Sequence, residues 1–371
     1  FDCGKRNQLA FVSIFDENGK VTAEGGPFAG LDRFEARKQV KAKLKALGLE
    51  RGGKAHVHAV GHCQRCHTVV EPMLSTQWFV KMEPLAKPAI EAVEQGKTRF
   101  VPETWNKTFF HWMTNIRDWC ISRQLWWGHR IPAWYCAACK QPTVARQAPA
   151  ACAHCGGRDL TQDEDVLDTW FSSWLWPFAT LGWPDSTREL KTFYPTTVME
   201  TGYDILFFWV ARMLMAGLHF MKKVPFRTVY LHTMVTDENG DKMSKVKGNT
   251  IDPLDVAAKH GADALRFALA WLTTQAAQGK NIKFSWSNVE DARRFANKIW
   301  NATRFAISSL AQAPAAPSGE PDWTLADSWI WARLQALVRD VERLFQNYQY
   351  GEAGRQIYEF FWSDFADWYI E

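Results

Sequence analysis

The sequence predicts an α/β protein built on a parallel βαβ unit, with a Cys-rich insert before it and helices after it. Three observations carry that expectation. Residues 197–201 and 227–232 are short runs rich in β-branched and apolar side chains, with an apolar stretch at 205–220 between them. A strand, a helix of roughly 15 residues and a second strand is the crossover that parallel neighbours require. Cys pairs at 136–155 precede this unit, and an Ala/Pro-rich run at 312–321 separates it from a last helical segment. At 371 residues the chain has room for two or three domains.

The elements follow in order. Phe11-Val12-Ser13-Ile14-Phe15 reads as a strand and Asp16-Glu17-Asn18-Gly19 as the turn after it. Asp32 and Glu35 have capping-box spacing ahead of a helix with Val40, Leu44 and Leu47 on one face, stopped by Gly48. A Cys/His knuckle spans 62–67, and a mainly helical stretch runs to about Cys120. In the βαβ unit Gly202 is the turn and Asp204 the expected helix N-cap. After the second strand come the turn Asp237-Glu238-Asn239-Gly240, a lysine loop at 242–247, and short helices over 253–273 with Gly261 between them. No internal repeat is present.

Composition narrows the class. Hydrophobic residues make up 47%, enough for real cores, and 20 Trp imply large aromatic contacts. A net charge of +4, from 44 basic and 40 acidic residues, permits a nucleic-acid partner without demanding one. Six of the eight Cys fall in C-x-x-C pairs, which points to metal binding in a reducing, cytoplasmic setting and not to disulfides. The 205–220 stretch contains Arg212 and is shorter than the roughly 20 residues that span a bilayer, so a buried helix is expected and no membrane partner. The chain opens with Phe1 and has no signal-peptide layout, so a soluble piece of a longer protein is expected.

Two motifs carry chemistry. Lys242-Met243-Ser244-Lys245 places two ammonium groups three residues apart just after a parallel strand. Such groups can surround a polyphosphate, each charge-assisted bond adding about 1.5–3 kcal/mol. The bare tetrapeptide also reads as a solvated Lys-rich turn. Cys136-x-x-Cys139 and Cys152-x-x-Cys155, twelve residues apart, form a four-thiolate zinc signature of the closed, structural kind. Cys63 and Cys66 make only half a site, with His62 and His67 as strained candidates to complete it.

Context lifts the lysine loop above the solvated turn. The loop, the run Gly248-Asn249-Thr250-Ile251-Asp252-Pro253-Leu254 and the run Gly261-Ala262-Asp263-Ala264-Leu265-Arg266 together resemble the KMSKS signature of class I aminoacyl-tRNA synthetases and the helices after it. Residues 118–124 resemble the valyl, isoleucyl and leucyl branches. Residues 125–135, the run Asp168-Thr169-Trp170-Phe171-Ser172-Ser173 and residues 201–209 resemble the valyl branch. Isoleucyl enzymes typically carry a polar G-x-D-Q-x-R where this chain is apolar. A zinc-bearing RNA-binding module, the rival of another class, gives no reason for a lysine loop to follow a βαβ unit.

The resemblance implies the following. The fold is the second half of a class I Rossmann catalytic domain with a zinc-binding insert. The tail of an editing domain precedes it, and the start of an α-helical anticodon-binding bundle follows. Expected boundaries are 1–75 for the editing tail, 76–132 for the return to the catalytic domain and 133–162 for the zinc insert. Residues 163–247 would hold the second Rossmann half, 248–290 a stem-contact region and 291–371 the anticodon-binding start. The activity is ATP- and Mg2+-dependent ligation of L-valine to its tRNA through valyl-adenylate, with hydrolytic editing of threonine in the full-length enzyme. The partners are valine, ATP and valine tRNA, and the enzyme is monomeric. Lys242, Ser244 and Lys245 would act on the departing pyrophosphate. Gly202, Asp204, His232 and Met243 would bind ATP, and Trp170, Ile205 and Trp209 would wall the valine pocket. Zn2+ would sit on Cys136, Cys139, Cys152 and Cys155, with Cys63 and Cys66 as half of a second site. The HIGH half and the end of the bundle would lie outside these residues, leaving the piece inactive alone. Three positions depart from the family pattern: Val246 stands for Ser, Thr233 for Gly and Trp174 for Ala.

Overall fold

The computed structural model describes residues 2–63, 66–245, 247–276, 281–313 and 322–370. Val246 and residues 314–321 of the Ala/Pro-rich run lie outside these. The backbone divides into two compact units, Phe1–Trp78 and Phe79–Glu371.

In the first unit, the Asp32 carboxylate accepts the Phe34 N–H at 2.8 Å and caps a helix over Arg33–Ala46. The capping box stays half made, because Glu35 faces Gln39 and Lys38 at 3.2 and 3.6 Å. The expected apolar face is not a core: Leu44 and Leu47 are 42% and 61% exposed, and only Ala36 of this helix is buried. The turn at Asp16–Gly19 forms as expected, with Asp16 Oδ1 accepting the Asn18 and Lys20 amides. The expected strand at 11–15 does not form. A strand needs a ladder partner, and among the described residues this run finds one bridge, Phe15 with Val21.

The second unit is organised by a three-stranded parallel sheet. Its strands are β1 (Arg99–Val101), β2 (Thr196–Gly202) and β3 (Phe226–His232), in the order β2–β3–β1. β2 and β3 pair from Thr196↔Phe226 through to Gly202↔His232, while β3 and β1 pair from Thr228↔Arg99 to Tyr230↔Val101. The βαβ unit is therefore formed where the sequence places it. β1 is an addition: three residues inside a stretch that reads as helical, between helices Glu83–Glu94 and Trp105–Thr114.

The crossover from β2 to β3 runs over Tyr203–Met221. Its length and mean hydropathy of 1.4 would suit a membrane span, but it packs as a core helix. Val210, Ala211, Met213, Leu214, Met215 and Ala216 are at most 1% exposed. Its course is irregular: a 3₁₀ turn at Tyr203–Ile205, π-helical turns at Leu206–Val210 and Gly217–Met221, and α-helix only over Ala211–Ala216. Gly202 is the N-cap, and Asp204 lies inside the first turn without capping it.

Beyond β3, strands Val235–Thr236 and Ile282–Lys283 pair in parallel. Between them run helices Pro253–His260, capped by Asp252 on Leu254 N–H at 2.8 Å, and Ala262–Ala276. Gly261 separates the two at φ 92°, a conformation that side chains rarely adopt. Val256, Ala264, Ala268, Phe284, Val289 and Ala292 form the core under them. Helices Trp286–Gln312, Leu325–Gln346 and Tyr350–Glu359 and a π-helical segment Phe360–Ile370 complete the unit. Thr324 and Asp327 close a full capping box at the start of Leu325–Gln346.

Burial sets a stability expectation. Leu214→Ala in the crossover should lower unfolding free energy by about 2–5 kcal/mol, the usual cost of an emptied core site. Leu254→Ala, at a side chain 77% exposed, should change it by less than about 0.5 kcal/mol. Equal midpoints for the two variants in urea titrations would show that the crossover is not the core.

Candidate active site

The parallel register brings the carboxyl ends of β2 and β3 to one level, so Gly202 and His232 are direct neighbours. A Cβ at Gly202 would lie 2.9 Å from Asp204 Oδ1 and 3.0 Å from Met234 Sδ, so any side chain there would displace these two. His232 Nε2 is 3.2 Å from Glu200 Oε1, and its Nδ1 is 2.9 Å from the Thr233 carbonyl oxygen. Asp204 projects from the first turn of the crossover, and its Oδ2 accepts Lys242 Nζ at 2.7 Å. Sequence reasoning made Asp204 a cap. Its carboxylate instead ties the crossover to the lysine loop.

That loop is braced from beneath. Asp237 Oδ1 accepts the amides of Asn239 and Asp241, closing the turn before it. Asn249 donates Nδ2–H to Asp237 Oδ2 at 2.9 Å, and its Oδ1 accepts the Ser244 N–H at 2.8 Å. The Asn249 amide, with the Asp241 amide next, holds the Asp237 carboxyl below the usual carboxylate range. Met243 packs with Ile251 against the Val256 core, so its side chain anchors the loop. Lys242 and Lys245 remain exposed. Asn249 is the residue that sequence reasoning missed as a site component. Its only signal was the Gly-Asn-Thr run after the lysines.

An aromatic wall stands beside this strand end. Asp168 is 6% exposed. Its Oδ1 accepts the Trp170 amide at 3.1 Å, while its Oδ2 accepts Trp119 Nε1 at 3.1 Å and Arg123 Nη2 at 2.5 Å. Trp170 stacks on Phe208 with ring centroids 6.0 Å apart, and Trp209 donates Nε1–H to the Ser173 carbonyl at 3.0 Å. Trp170 and Trp209 thus belong to one packed layer. The cavity of about 200 Å³ beside Asp204 has other walls, among them Phe109, Trp112, Leu206, Phe207 and Phe208, and not Trp170, Ile205 or Trp209. The α-helical spacing that would align Ile205 with Trp209 is missing, because the chain passes from a 3₁₀ turn to a π turn at Ile205. Trp174 is 5% exposed and packs edge-on against Trp119, which accounts for a large side chain at that position.

The Cys-rich insert is a three-stranded antiparallel sheet of Ala133–Cys136, Pro142–Val144 and Leu160–Gln162, with the first strand central. Two turns, one of them carrying Lys140 at φ 59°, bring Cys136, Cys139, Cys152 and Cys155 together with all four Sγ within 4.8 Å of one another. Cys136 and Cys155 are 3.5 Å apart at sulfur, Cys139 and Cys152 3.6 Å. A tetrahedral zinc with bonds of about 2.3 Å needs sulfurs about 3.8 Å apart, so the donor set fits that ion. The His154 amide, followed by that of Cys155, pulls the Cys152 thiol down to about 6, and the Cys139 amide lowers Cys136. Both shifts favour the thiolate that binds metal, whereas Cys155, despite the Gly157 amide and hemmed in by Cys139, Cys136 and Cys152, is pushed up. No third ligand joins Cys63 and Cys66 among the described residues. Cys66 Sγ turns to the Thr68 hydroxyl at 3.3 Å, which together with the Thr68 backbone brings that thiol to about 7. His62 Nδ1 lies 2.7 Å from the His67 carbonyl oxygen.

Residues 18–285 match the family described as tRNA synthetases class I (I, L, M and V). The chain belongs to that family. Residues 327–371 match the anticodon-binding domain of tRNA ligase, so a class I catalytic domain is followed by an anticodon-binding domain. The valine--tRNA ligases of Syntrophotalea carbinolica and Solibacter usitatus are each 54% identical over all of this chain, which covers 41% and 43% of their lengths. The chain therefore spans about two fifths of these curated relatives. Among solved structures, Mycobacterium tuberculosis methionyl-tRNA synthetase with methionyl-adenylate superposes with TM-score 0.61 at 19% identity, over 82% of this chain and 54% of that one. The Agrobacterium radiobacter LeuRS–tRNA–LeuAMS complex gives TM-score 0.52 at 23% identity, over 67% of this chain and 36% of that one. At such identities the likeness is one of fold.

The purified protein should carry one zinc, with X-ray absorption reporting four sulfurs at about 2.3 Å. Cys152→Ser should lower metal content below half an equivalent. Full alkylation of all four thiols in the untreated protein would remove the metal centre.

Proposed function

We propose that this chain is the KMSKS-bearing part of a valine--tRNA ligase, which joins L-valine to its tRNA through valyl-adenylate at the expense of ATP. The observation that carries the reading is the contact of Lys242 with Asp204 across the carboxyl ends of β2 and β3. It sets an exposed cation on the edge where such sheets take nucleotides. The identity to valine--tRNA ligases over the whole chain supports the amino acid.

In this reading the valine carboxylate attacks the α-phosphate in line. Catalysis is then positioning plus neutralisation of the charge that builds on pyrophosphate. Gly202 lets the backbone approach the adenylate closely, and Asp204 and His232 contact the nucleoside. Lys242 is 68% exposed at its side chain, and ion pairs of that kind contribute only about 0–1 kcal/mol. An incoming polyphosphate therefore displaces Asp204 readily, and Lys242 and Lys245 close on the phosphates. Ser244 adds a neutral hydroxyl, and Met243 holds the loop to its core. Magnesium bound to the incoming ATP would supply further counter-charge to the phosphates beside Lys242 and Lys245. The family resemblance assigns Trp170, Ile205 and Trp209 to a wall that excludes side chains longer than valine, although none of the three lines the cavity beside Asp204. Zinc on the four thiolates supplies folding free energy to the insert and takes no part in the chemistry.

The domain boundaries at 75, 132, 162, 247 and 290, the editing tail, the stem contact, the monomeric state and the cytoplasmic setting belong to the same proposal. Hydrolysis of mischarged threonine is proposed for the full-length enzyme. A hydrophobic pocket rejects that isostere by only about 10²-fold, a magnitude for which valyl synthetases are themselves the standard example.

Valine-dependent ATP–pyrophosphate exchange tests the reading in a protein of the relatives' length. Lys242→Ala and Lys245→Ala should each slow exchange about 100-fold, the loss of one transition-state contact of about 3 kcal/mol, with valine affinity nearly intact. Ser244→Ala should cost less, and the 371-residue chain alone should show no exchange. Wild-type exchange by the double lysine variant would return the loop to a solvated turn.

A further inference from the structure

On the other side of Phe207 and Trp112 from Asp204 lies a second cavity of about 500 Å³, lined by Met82, Trp112, Asp118, Trp119, Phe207 and Arg212 among others. Arg212 is the unusual member. It is 8% exposed, on the fully buried part of the crossover. Its guanidinium carbon sits 3.6 Å from the Trp119 ring centroid and 5.9 Å from that of Phe208. Among the described residues neither Nε nor Nη1 has a hydrogen-bond partner. Asp168, the acid whose charge acts on Arg212, is committed to Trp119, Arg123 and the Trp170 amide. Burial, opposed by Asp168, pushes Arg212 down to about 10, which leaves it cationic at neutral pH.

A buried cation with unmet donors is costly unless something pairs it. Arg212 is among the lining residues of the cavity, and a single carboxylate matches a guanidinium in charge. His111, Asn115, Arg117, Asp118 and Cys120 make the rest of the lining mixed, with the apolar surface supplied by Met82, Trp112, Trp119 and Phe207. Asp118, whose Oδ1 accepts the Met82 amide at 3.1 Å, offsets the charge of Arg117. The volume lies in the range of small-ligand sites.

We infer that this cavity is a binding site for a carboxylate carried on an apolar body, paired with Arg212 and packed on Trp119 and Phe207. Two sources offer that chemistry: a free apolar carboxylic acid, or an Asp or Glu side chain from the part of the relatives that this chain does not cover. The site is separate from the proposed nucleotide edge and does not rest on the valine reading.

The probe is 4-fluorophenylacetate, followed by ¹⁹F line broadening, with 4-fluorobenzyl alcohol as the uncharged control. The 371-residue chain should bind the acid at least tenfold more tightly than the alcohol. Arg212→Met should abolish that preference, and Arg212→Lys should keep part of it. Where a protein side chain is the natural occupant, a chain extended to the relatives' length should exclude the acid. Arg212→Met should then lower the Tm of the extended protein more than that of the shorter chain. Where a free acid is the natural occupant, both lengths should bind the probe alike. Acid and alcohol binding equally to the wild-type chain, or no binding of the acid at all, would overturn the inference. That comparison needs no variant, so a misfolded Arg212→Met leaves it intact.

Discussion

The common level at which two parallel strands end is the constraint on which the rest of this molecule depends. Parallel neighbours cannot be joined by a hairpin, so the chain must leave β2, cross the sheet and re-enter at the far end of β3. The register from Thr196↔Phe226 to Gly202↔His232 fixes both exits at one edge. The first turn of the crossover and the loop after β3 are therefore brought together whatever their own preferences. Asp204 and Lys242, 38 residues apart, meet for this reason. The middle of the crossover is fully buried and packs on helix Glu83–Glu94, which removes its backbone polar groups from water.

The same edge is kept open in one place and braced in another. Gly202 leaves space where a side chain would collide with Asp204 and Met234. The lysine loop has its stem set by Asp237, its middle by Asn249 and one side chain sunk into a helical core. What stays in solvent is the pair of long cationic arms. In the proposed reading, a backbone ordered in advance would leave closure on an anion little chain entropy to lose. A metal held by Cys136, Cys139, Cys152 and Cys155 would do a related job in the insert, where the strands are only three or four residues long.

The legible features were those with a strong local cause. β2, β3, the Asp32 cap, the turn at Asp16–Gly19, the break at Gly261 and the four-thiolate spacing each follow from a few adjacent residues. Features set by distant partners did not show. β1 is three residues whose strand character comes from pairing with Thr228–Tyr230, and no alternation fits in three positions. Residues 11–15 have the β-branched and aromatic content of a strand yet find one bridge. Asp204 has cap chemistry at a cap position, but an ammonium group competes for its oxygen. The walls of the cavity beside Asp204 come from a π-helical turn over Leu206–Val210, whose side-chain directions a regular helical period does not give. Asn249 looked like an ordinary loop residue because its role is to join two turns.

The placement of β1 has a consequence for how the chain is made. Its partner β3 lies far along the sequence: the Thr98 hydroxyl meets the Phe226 carbonyl across a separation of 128 residues. Loop length itself is inexpensive, since each doubling adds only about 0.6 kcal/mol. Waiting time is another matter. At about 5–20 residues per second, a ribosome needs roughly 6–26 s to supply β3 after β1 has emerged. Through that interval Phe100, Phe109 and Met113, all at most 2% exposed in the finished fold, have no strand to cover them. The Cys-rich insert is synthesised in the gap and closes over short distances, so metal capture can proceed before the sheet exists. Until β3 is made, the chain would carry an uncovered apolar ledge next to an insert whose strand pairings are all local.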